Sequence, residues 1–428
     1  MTAIQIKDYR FNFQREPLAK PFQFKGSSFR EKWTLVIGVE SARRTRCTGI
    51  GGTAVLWSDP AVFSSFSEAG GNVIMAAMAE KGAQLAVGRP FQNPIELLET
   101  ILPQVHDFGV QLTGNRNLKK TFTLNSLVAL DLALWKLLFL EGGLVDFDQM
   151  IPEEFRSALG HRLSRIARLP VVSYDCSMGE LFRLAEQGHF FLKIKVGQAG
   201  STEEMIKKDQ TRLEEIHQAF QGKKAPRSPV GKFFYYLDVN GRYPDRAGLK
   251  KLIDYADRIG MLDEIALVEE PFPGEAQEDV SDFPVRIAAD ESVEDEVQVI
   301  DRINLGYKAI AIKPAGKTLS MSLKMIRAAH RRGVTCFVAD NACIPLLVEW
   351  NKNIAARLGP FPGLDAGIME SNGEQNYRDW GKMVLDHPLH GAGWIEPREG
   401  FFHLDEEFYR TSGGIFLEPG HYQKLISD

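Results

Sequence analysis

Two lysines separated by one residue end a short apolar segment of the chain. Lys193 and Lys195 follow residues 190–192, which are Phe, Phe and Leu, and precede Val196. Because side chains alternate along a strand, the two amines would lie on one face. Most such pairs are solvated surface lysines, but the apolar neighbours make full exposure unfavourable. We therefore predict that two amines lie close together inside the protein.

Carboxylates end the next three strand-like segments. The segments read Leu237-Asp238-Val239-Asn240, Val268-Glu269-Glu270-Pro271 and Ala289-Asp290-Glu291-Ser292. Converging carboxylates repel one another unless a cation neutralises them, and an all-oxygen ligand set without His or Cys suits Mg²⁺. A single strand-end carboxylate is more often a helix cap or a loop residue. Three in succession favour a metal site.

A further lysine ends a later strand-like segment. Lys313 follows the apolar residues 309–312 and precedes Pro314. One interpretation is a rim residue whose amine reaches solvent, and the other places this amine across a closed sheet from Lys195. Amines on both sides of a carboxylate set suit removal of a proton α to a carboxylate, because the resulting enediolate requires a divalent cation and an adjacent base. A neighbouring ammonium disfavours the charged form of a lysine, so one lysine can act as the base. The opposite lysine can return the proton or stabilise an intermediate as a cation.

Short strands separated by amphipathic helices must position these groups. The predicted strands cover residues 171–174, 192–196, 233–239, 266–270, 285–289, 309–313, 335–339 and 366–370. Helical periodicity separates most of them, as in residues 203–220 and 319–330. Eight parallel strands with intervening helices predict a barrel, with a doubly wound open sheet as the alternative.

The first third of the chain has a different pattern, typical of a compact α+β unit. Strands are predicted within residues 3–13 and 33–40, and a helix within residues 124–141. The glycines of residues 47–55, among them Gly49, are interpreted as a bent strand or loop.

The order of these motifs resembles the enolase superfamily, specifically its muconate lactonizing enzyme and mandelate racemase-like members. The resemblance covers nearly the whole chain, and residues 129–135 are similar to the segment that leads into the barrel of that family. It implies a modified TIM barrel of the (β/α)7β type in residues 141–380. It also implies an α+β N-terminal capping domain in residues 1–140, completed by the C-terminal tail, residues 381–428.

The resemblance further implies one Mg²⁺ per active site and a role for each motif residue. The implied metal ligands are Asp238, Glu269 and Asp290, and the implied acid/base residues are Lys195 and Lys313. Lys193 would favour the neutral amine of Lys195 and bind the substrate carboxylate. Asn240 and Glu291 would support these groups. No His lies between His330 and His387, so the lysine-lysine acid/base subgroup is favoured over the histidine-base group. Gly367 stands where dipeptide epimerases of the family usually have an aspartate, which makes a dipeptide substrate less favoured.

The expected function is that of an isomerase: a racemase or epimerase of a small carboxylic acid or amino-acid derivative. The alternatives are a one-base lyase, cycloisomerase or o-succinylbenzoate synthase-like dehydratase on the same fold, and a non-catalytic metabolite-binding barrel. Substrate contacts are expected from the capping loops and the last strand ends. The candidates are Phe22, Phe24, Lys25, Asp340, Asn341 and Glu370.

Charge, apolar stretches and cysteine content indicate which partners and which cellular compartment to expect for this protein. The 428 residues carry a formal net charge of -5, which offers no bulk attraction to nucleic acid. The longest apolar stretch, residues 127–140, contains Asp131 and Lys136 and is too short to span a bilayer. Four cysteines without C-x-x-C spacing fit a reducing compartment. We expect a cytoplasmic homo-oligomer that binds a small-molecule carboxylate and neither nucleic acid nor a membrane.

Overall fold

A computed structural model describes residues 3–24 and 26–427 and contains two sheets. The strands of the first sheet are β1 (Ile4–Phe24), β2 (Ser27–Ser41), β3 (Arg46–Gly52) and β4 (Pro90–Phe91). The strands of the second, the barrel sheet, are β5 (Arg165–Leu169), β6 (Val171–Val172), β7 (Phe191–Lys195), β8 (Phe234–Asp238), β9 (Ile265–Glu269), β10 (Ile287–Ala289), β11 (Ala309–Ile312), β12 (Thr335–Val338), β13 (Gly367–Glu370) and β14 (Phe401–His403).

Helices surround both sheets. Those of the N-terminal part are α1 (Val55–Ser58), α2 (Pro60–Ala86), α3 (Pro94–Thr113), α4 (Lys120–Ser126), α5 (Val128–Glu141), α6 (Phe147–Met150) and α7 (Glu153–Arg156). Those of the barrel and tail are α8 (Met178–Glu186), α9 (Thr202–Phe220), α10 (Arg246–Arg258), α11 (Glu296–Asn304), α12 (Pro314–Lys317), α13 (Leu319–His330), α14 (Pro345–Ala355), α15 (Gly373–Asn376), α16 (Trp380–Leu385), α17 (Glu406–Thr411) and α18 (Gly420–Lys424).

The barrel sheet closes through one strand that is interrupted at Pro170. β5 pairs in parallel with β13, and β6 pairs in parallel with β7. Only Pro170 separates β5 from β6, and its carbonyl accepts a hydrogen bond from Lys193 N at 3.1 Å. Pro has no N–H to donate to a ladder, which explains the break in the strand. Parallel pairing continues from β7 through β13, so the predicted barrel is confirmed and the open-sheet alternative is wrong.

The connections between barrel strands differ from the expected pattern in one place. Helices follow most strands, but the described residues between β9 and β10 form no helix. This link contains Pro271, Pro273 and Pro284, which break helical hydrogen bonding. After β13 the chain forms the short helices α15 and α16 rather than a long barrel helix, in agreement with the missing eighth helix.

The cap, defined as the first sheet with helices α1 to α5, lies over one end of the barrel. Its strand order is β3-β2-β1-β4, and β1 and β2 form a long antiparallel hairpin. Near the tip of the hairpin, Phe22 pairs with Phe29 and Phe24 pairs with Ser27. The three phenylalanines border the barrel cavity. The capping architecture is therefore confirmed as part of the fold.

The apolar helix α5 is a core element of the cap. Its residues from Val128 to Leu138 are all buried. In the described part of the chain, no single helix has the length and apolar composition needed to cross a membrane. The pair α4 and α5, bent by 52°, meets that test on length and composition together.

The C-terminal tail contacts both the barrel and the cap. β14 pairs antiparallel with β5. Beyond α18, the carbonyls of Leu425 and Ile426 accept hydrogen bonds from Asn12 Nδ2 at 2.6 Å and from Arg10 Nη1 at 3.0 Å. The tail thus completes the cap, while the domain boundaries near residues 140 and 380 stay a prediction.

The glycines of β3 permit close contact with α5. β3 pairs with β2 along its whole length, so these glycines lie in a strand, and the loop alternative is wrong. A Cβ atom at Gly49 would lie 2.1 Å from Ala129 O and 2.6 Å from Ala133 N. At Gly49, no side chain larger than hydrogen fits between this strand and helix.

Substitution of Gly49 by Ala should therefore destabilise the protein. Separating β3 from α5 enough to admit a methyl group should cost about 1 to 3 kcal/mol of the free energy of unfolding. Urea unfolding of Gly49→Ala measures this loss. The matched control is Gly381→Ala in α16, where an added Cβ meets nothing within 4 Å. Equal stability of Gly49→Ala and the wild type would contradict the packing argument.

Candidate active site

The predicted lysines and carboxylates meet at the carboxyl ends of the barrel strands. Lys195 ends β7, Asp238 ends β8 and Glu269 ends β9, and these three are successive partners in the strand register. Asp290 directly follows β10, and Lys313 directly follows β11. All five are buried, the most exposed being Lys195 at 8%. Together with residues of the cap they line one cavity, in which the space open to the centre of a water molecule is about 50 Å³.

Lys193 joins carboxylates from three different strands. Its Nζ lies 3.0 Å from Asp238 Oδ2, 3.3 Å from Glu269 Oε2 and 2.9 Å from Glu370 Oε2. Burial alone lowers the pKa of this amine, but the three carboxylates outweigh burial and hold the pKa well above its ordinary value. The three carboxylates therefore favour the charged form of Lys193, which lines the cavity.

Lys195 lies beside Lys193 but has different partners. Its Nζ donates to Asp238 Oδ2 at 2.5 Å and to Asn240 Oδ1 at 2.7 Å. Asn240, whose backbone lies in the left-handed region with φ 50°, also donates from Nδ2 to Glu291 Oε1 at 3.1 Å. Asn240, one of the two predicted supporting residues, thus connects Lys195 to the other, Glu291.

Asp290 is held by two lysines that follow the neighbouring strand, β11. Its Oδ2 lies 2.5 Å from Lys313 Nζ, and its Oδ1 lies 3.2 Å from Lys317 Nζ. Burial raises the pKa of Asp290, but the two lysines outweigh burial and hold it below its usual range. Burial lowers the pKa of Lys313, and Asp290, Glu291 and Glu269 outweigh that effect and raise it. Lys313 also lies 4.4 Å from the centre of the Trp57 ring, a favourable contact for a cation.

Lys317 is a buried component of the site that sequence reasoning missed. Its Nζ also donates to the carbonyls of Asp290 at 2.6 Å and Val293 at 2.8 Å. The residue belongs to the sequence Gly316-Lys317-Thr318, which suggests a phosphate loop but lacks the earlier glycine at Ala311 that such a loop requires. One signal was available: Lys317 lies one helical turn after Lys313, so both can face the same neighbour.

Glu270 positions Asp290 and was also missed. Its backbone lies in the left-handed region with φ 40°, and its Oε2 accepts from Asp290 N at 2.8 Å and from Ser292 Oγ at 3.0 Å. Burial raises its pKa to about 7. Of this adjacent pair, Glu269 therefore lines the cavity, whereas Glu270 binds the loop after β10.

The carboxylates fit a divalent cation. Oxygen atoms of Glu269, Asp290 and Glu291 lie within 4.8 Å of one another, and Oε2 of Glu291 is buried without a hydrogen-bond partner among the described residues. Burial raises the pKa of Glu269 to about 8, because a negative charge in the interior is unfavourable when no metal neutralises it. Asp238 differs: burial raises its pKa, but Lys193 and Lys195 outweigh burial and hold it at about 2. Asp238 and Glu269 share Lys193 as a partner, so they lie side by side.

The predicted substrate contacts fall into three groups. Phe22, Phe24 and Asn341 line the cavity, and Nδ2 of Asn341 is a buried donor without a partner in the described part of the chain. Asp340 also borders the cavity, but its oxygens accept from backbone N–H groups at 2.8 to 3.1 Å, as those of a loop residue do. Glu370 is the carboxylate that contacts Lys193. Lys25 lies outside the described residues.

Two cap residues at the cavity had no signal in the sequence. Lys32 of β2 donates from Nζ to the carbonyls of Asn341 and Ala342, which attaches the cap to the loop after β12. Trp57 of α1 borders the cavity, and its Nε1 is buried and unpaired among residues 3–24 and 26–427. Gly367 lies at the start of β13 and not at its cavity end, so it gives no information on a dipeptide substrate.

Solved structures of the enolase superfamily share this fold. A mandelate racemase/muconate lactonizing protein from Herpetosiphon aurantiacus aligns with 94% of this chain and 96% of its own, at 16% identity and a TM-score of 0.64. A dipeptide epimerase from Enterococcus faecalis, complexed with Mg and L-Leu-L-Tyr, aligns with 94% of this chain and 98% of its own, at 15% identity and a TM-score of 0.62. L-Talarate dehydratase from Polaromonas, complexed with Mg and L-glucarate, aligns with 94% and 93% of the two chains, at 17% identity and a TM-score of 0.63.

The comparisons define the fold and not the reaction. No protein-family model and no curated protein sequence matches this chain. The fold is that of the enolase superfamily, as the sequence resemblance implied. Within it, the architecture is that of the mandelate racemase/muconate lactonizing type, with a barrel and its cap.

Replacement of Lys193 by Met should destabilise the protein strongly. The variant keeps the length of the side chain but leaves Asp238, Glu269 and Glu370 without their shared cation. Removing one partner of a buried ion pair costs about 3 to 5 kcal/mol, which urea unfolding without added metal would measure. The control is Lys250→Met, which removes the exposed pair with Asp254 and should change stability by about 0.5 kcal/mol or less. A similar loss in both variants would show that Lys193 does not neutralise the cluster.

Proposed function

We propose that this protein catalyses the Mg²⁺-dependent abstraction of a proton α to a carboxylate, through an enediolate intermediate, as a racemase or epimerase. The observation that carries the proposal is the placement of Lys195 and Lys313. Lys195 ends β7, Lys313 follows β11, and both border the same cavity. Counting β5 and β6 as one strand and leaving out the antiparallel β14, the barrel has eight strands, and β7 and β11 are four strands apart. A planar intermediate between two such amines can be protonated from either face, which inverts the stereocentre.

Each residue has a proposed role that its contacts support. Lys195, oriented by Asn240, and Lys313, oriented by Asp290, exchange protons with opposite faces of the substrate carbon. Lys193, whose charged form the surrounding carboxylates favour, binds the substrate carboxylate. Asp238, Glu269 and Asp290 hold Mg²⁺, which when bound stabilises the negative charge of the enediolate. Glu291 supports the site through Asn240.

A lyase is the second candidate, and the contacts of Lys313 favour it specifically. Asp290 and the face of Trp57 both stabilise a charged amine at Lys313. A residue kept as a cation can stabilise an intermediate without exchanging a proton, as the one-base mechanism requires. The similar structures include both a dipeptide epimerase and a talarate dehydratase, so both reaction classes are compatible with this fold.

Binding of Mg²⁺ should stabilise the wild-type protein and depend on the proposed ligands. At a concentration 100 times its Kd, the ion should add about 2.7 kcal/mol, visible in a thermal-shift or calorimetric titration. Asp238→Asn, Glu269→Gln and Asp290→Asn should each abolish or strongly weaken this response, whereas Asp301→Asn on the exposed face of α11 should leave it intact.

The same titration separates the alternatives. Loss of binding in Glu291→Gln with retention in Asp238→Asn would show that the third ligand is Glu291, whose oxygens lie close to those of Glu269 and Asp290. A wild-type protein that binds no Mg²⁺ would favour the non-catalytic barrel over any of the proposed reactions.

Exchange of the α-proton with deuterated solvent should depend on both lysines. We expect the wild type to exchange this proton in both enantiomers of its substrate, found by screening a library of carboxylic acids with Mg²⁺. Lys195→Ala and Lys313→Ala should each slow exchange with one enantiomer by about 10² to 10⁴, and Lys250→Ala should not. Mass spectrometry and NMR measure the label. Exchange or elimination with a single enantiomer would support the lyase, and full exchange in both variants would disprove the proposal.

A further inference from the structure

The side of the cavity formed by the cap has an apolar surface that is distinct from the main core. Phe24, Ala54, Leu56 and Trp57 form a buried cluster of their own among the described residues. All four border the cavity that contains the lysines and carboxylates. We refer to these four residues as the cap cluster.

Three further aromatic side chains extend the cap cluster around the cavity. Phe22, Phe29 and Phe63 pack against both the cap cluster and the main core, and all three line the cavity. Phe22 and Phe29 are partners across the β1–β2 hairpin, and their ring centres lie 5.2 Å apart. The hairpin and the first turns of α2 thus present rings to the same space. Apolar surface that faces a cavity gains free energy when an apolar group covers it.

Several polar groups on the cap side are already hydrogen-bonded within the protein, although Trp57 Nε1 has no partner among the described residues. Lys32 donates to backbone carbonyls after β12. Thr53 Oγ1 donates to Asn72 Oδ1 at 2.7 Å, and Glu68 Oε1 accepts from the backbone N–H of residues 30 and 31 at 2.8 and 2.7 Å. A substrate rich in hydroxyl groups would find few partners here, and a buried hydroxyl without a partner is costly.

We infer that the substrate is a carboxylic acid that carries one large apolar group, aromatic or branched aliphatic, and that this group rests on the cap cluster. The inference rests on the proposed function and narrows its substrate class. The two halves of the cavity meet at the proposed acid/base residues: Lys195 Nζ lies 5.5 Å from the centre of the Phe24 ring, and Lys313 Nζ lies 4.4 Å from that of Trp57. The reacting carbon would therefore lie between the charged half, which holds the carboxylate, and the apolar half.

Calorimetric titration of the wild-type protein with Mg²⁺ present tests this class directly. The probes are 3-phenylpropionate, propionate and gluconate, which share a carboxylate and differ in the attached group. Burial of a phenyl ring should make 3-phenylpropionate bind at least about tenfold more tightly than either other acid. Gluconate binding as tightly as 3-phenylpropionate, or no detectable binding of 3-phenylpropionate, would overturn the inference.

Variants at Phe63, one of the rings packed against the cap cluster, locate the effect at this side of the cavity. Phe63→Ala should weaken binding of 3-phenylpropionate about tenfold and leave binding of propionate unchanged. The matched control is Phe66→Ala, which lies on the same helix, packs against the main core and does not line the cavity. Should Phe63→Ala fail to fold, Phe63→Leu should still weaken 3-phenylpropionate selectively, by about threefold. An equal loss for both acids in the Phe63 variant would disprove a role in binding the apolar group.

The outcomes distinguish failure of this inference from failure of the proposed function. The titrations measure equilibrium binding and require no turnover. A preference for the aryl acid without α-proton exchange in any acid would support the apolar subsite and reject the proposed reaction. Exchange confined to polyhydroxy acids would support the reaction and reject the apolar subsite.

Discussion

The structure depends on the mutual neutralisation of buried charges at the mouth of the barrel. A charge transferred from water to a protein interior costs several kcal/mol unless an opposite charge and hydrogen bonds compensate it. Here the cations and anions come from different strands, so each is compensated only when those strands come together, and the contact of Lys193 with Glu370 joins β7 to β13. Lys193 contacts carboxylates of β8, β9 and β13, and Asp290 contacts Lys313 and Lys317 from the next connection. The groups proposed for chemistry are therefore also those that join the strands.

The cap is held against this charged region by polar contacts of its own. The Asp131 carboxylate of α5 accepts from the backbone N–H of Leu319 at 2.8 Å and Ser320 at 3.1 Å, at the first turn of barrel helix α13. A helix N-terminus favours negative charge, although burial raises the pKa of Asp131 to about 7. Thr121 at the start of α4 donates to Glu294. These contacts join two helices of the cap to the barrel, α5 to α13 and α4 to the residues before α11.

Much of the barrel and the charged part of the site could be predicted from the sequence because the signals are local. Alternation around Lys193, and carboxylates directly after apolar segments, give strand ends without knowledge of the fold. β5 was missed because Pro170 divides the strand, and its membership follows only from pairing with β13. Trp57 could not be assigned because its neighbour Lys313 comes from a distant part of the chain, whereas Lys317 had a local signal in its spacing from Lys313. The reason for Gly49 could not be predicted either. Its local sequence does not distinguish a glycine that lets a helix pack against the strand from a glycine in a turn.

The C-terminal tail has a consequence for how the chain reaches this structure during synthesis. Asn12 and Arg10 bond to carbonyls 413 and 416 residues later, so an early strand shares an interface with residues that are made much later. Contacts this distant in sequence carry a large loop-closure cost and form late. The hairpin emerges from the ribosome with part of its partner surface still unmade, and its exposed rings must avoid other chains until the tail arrives. Folding order, and not only final stability, therefore constrains the sequence of β1.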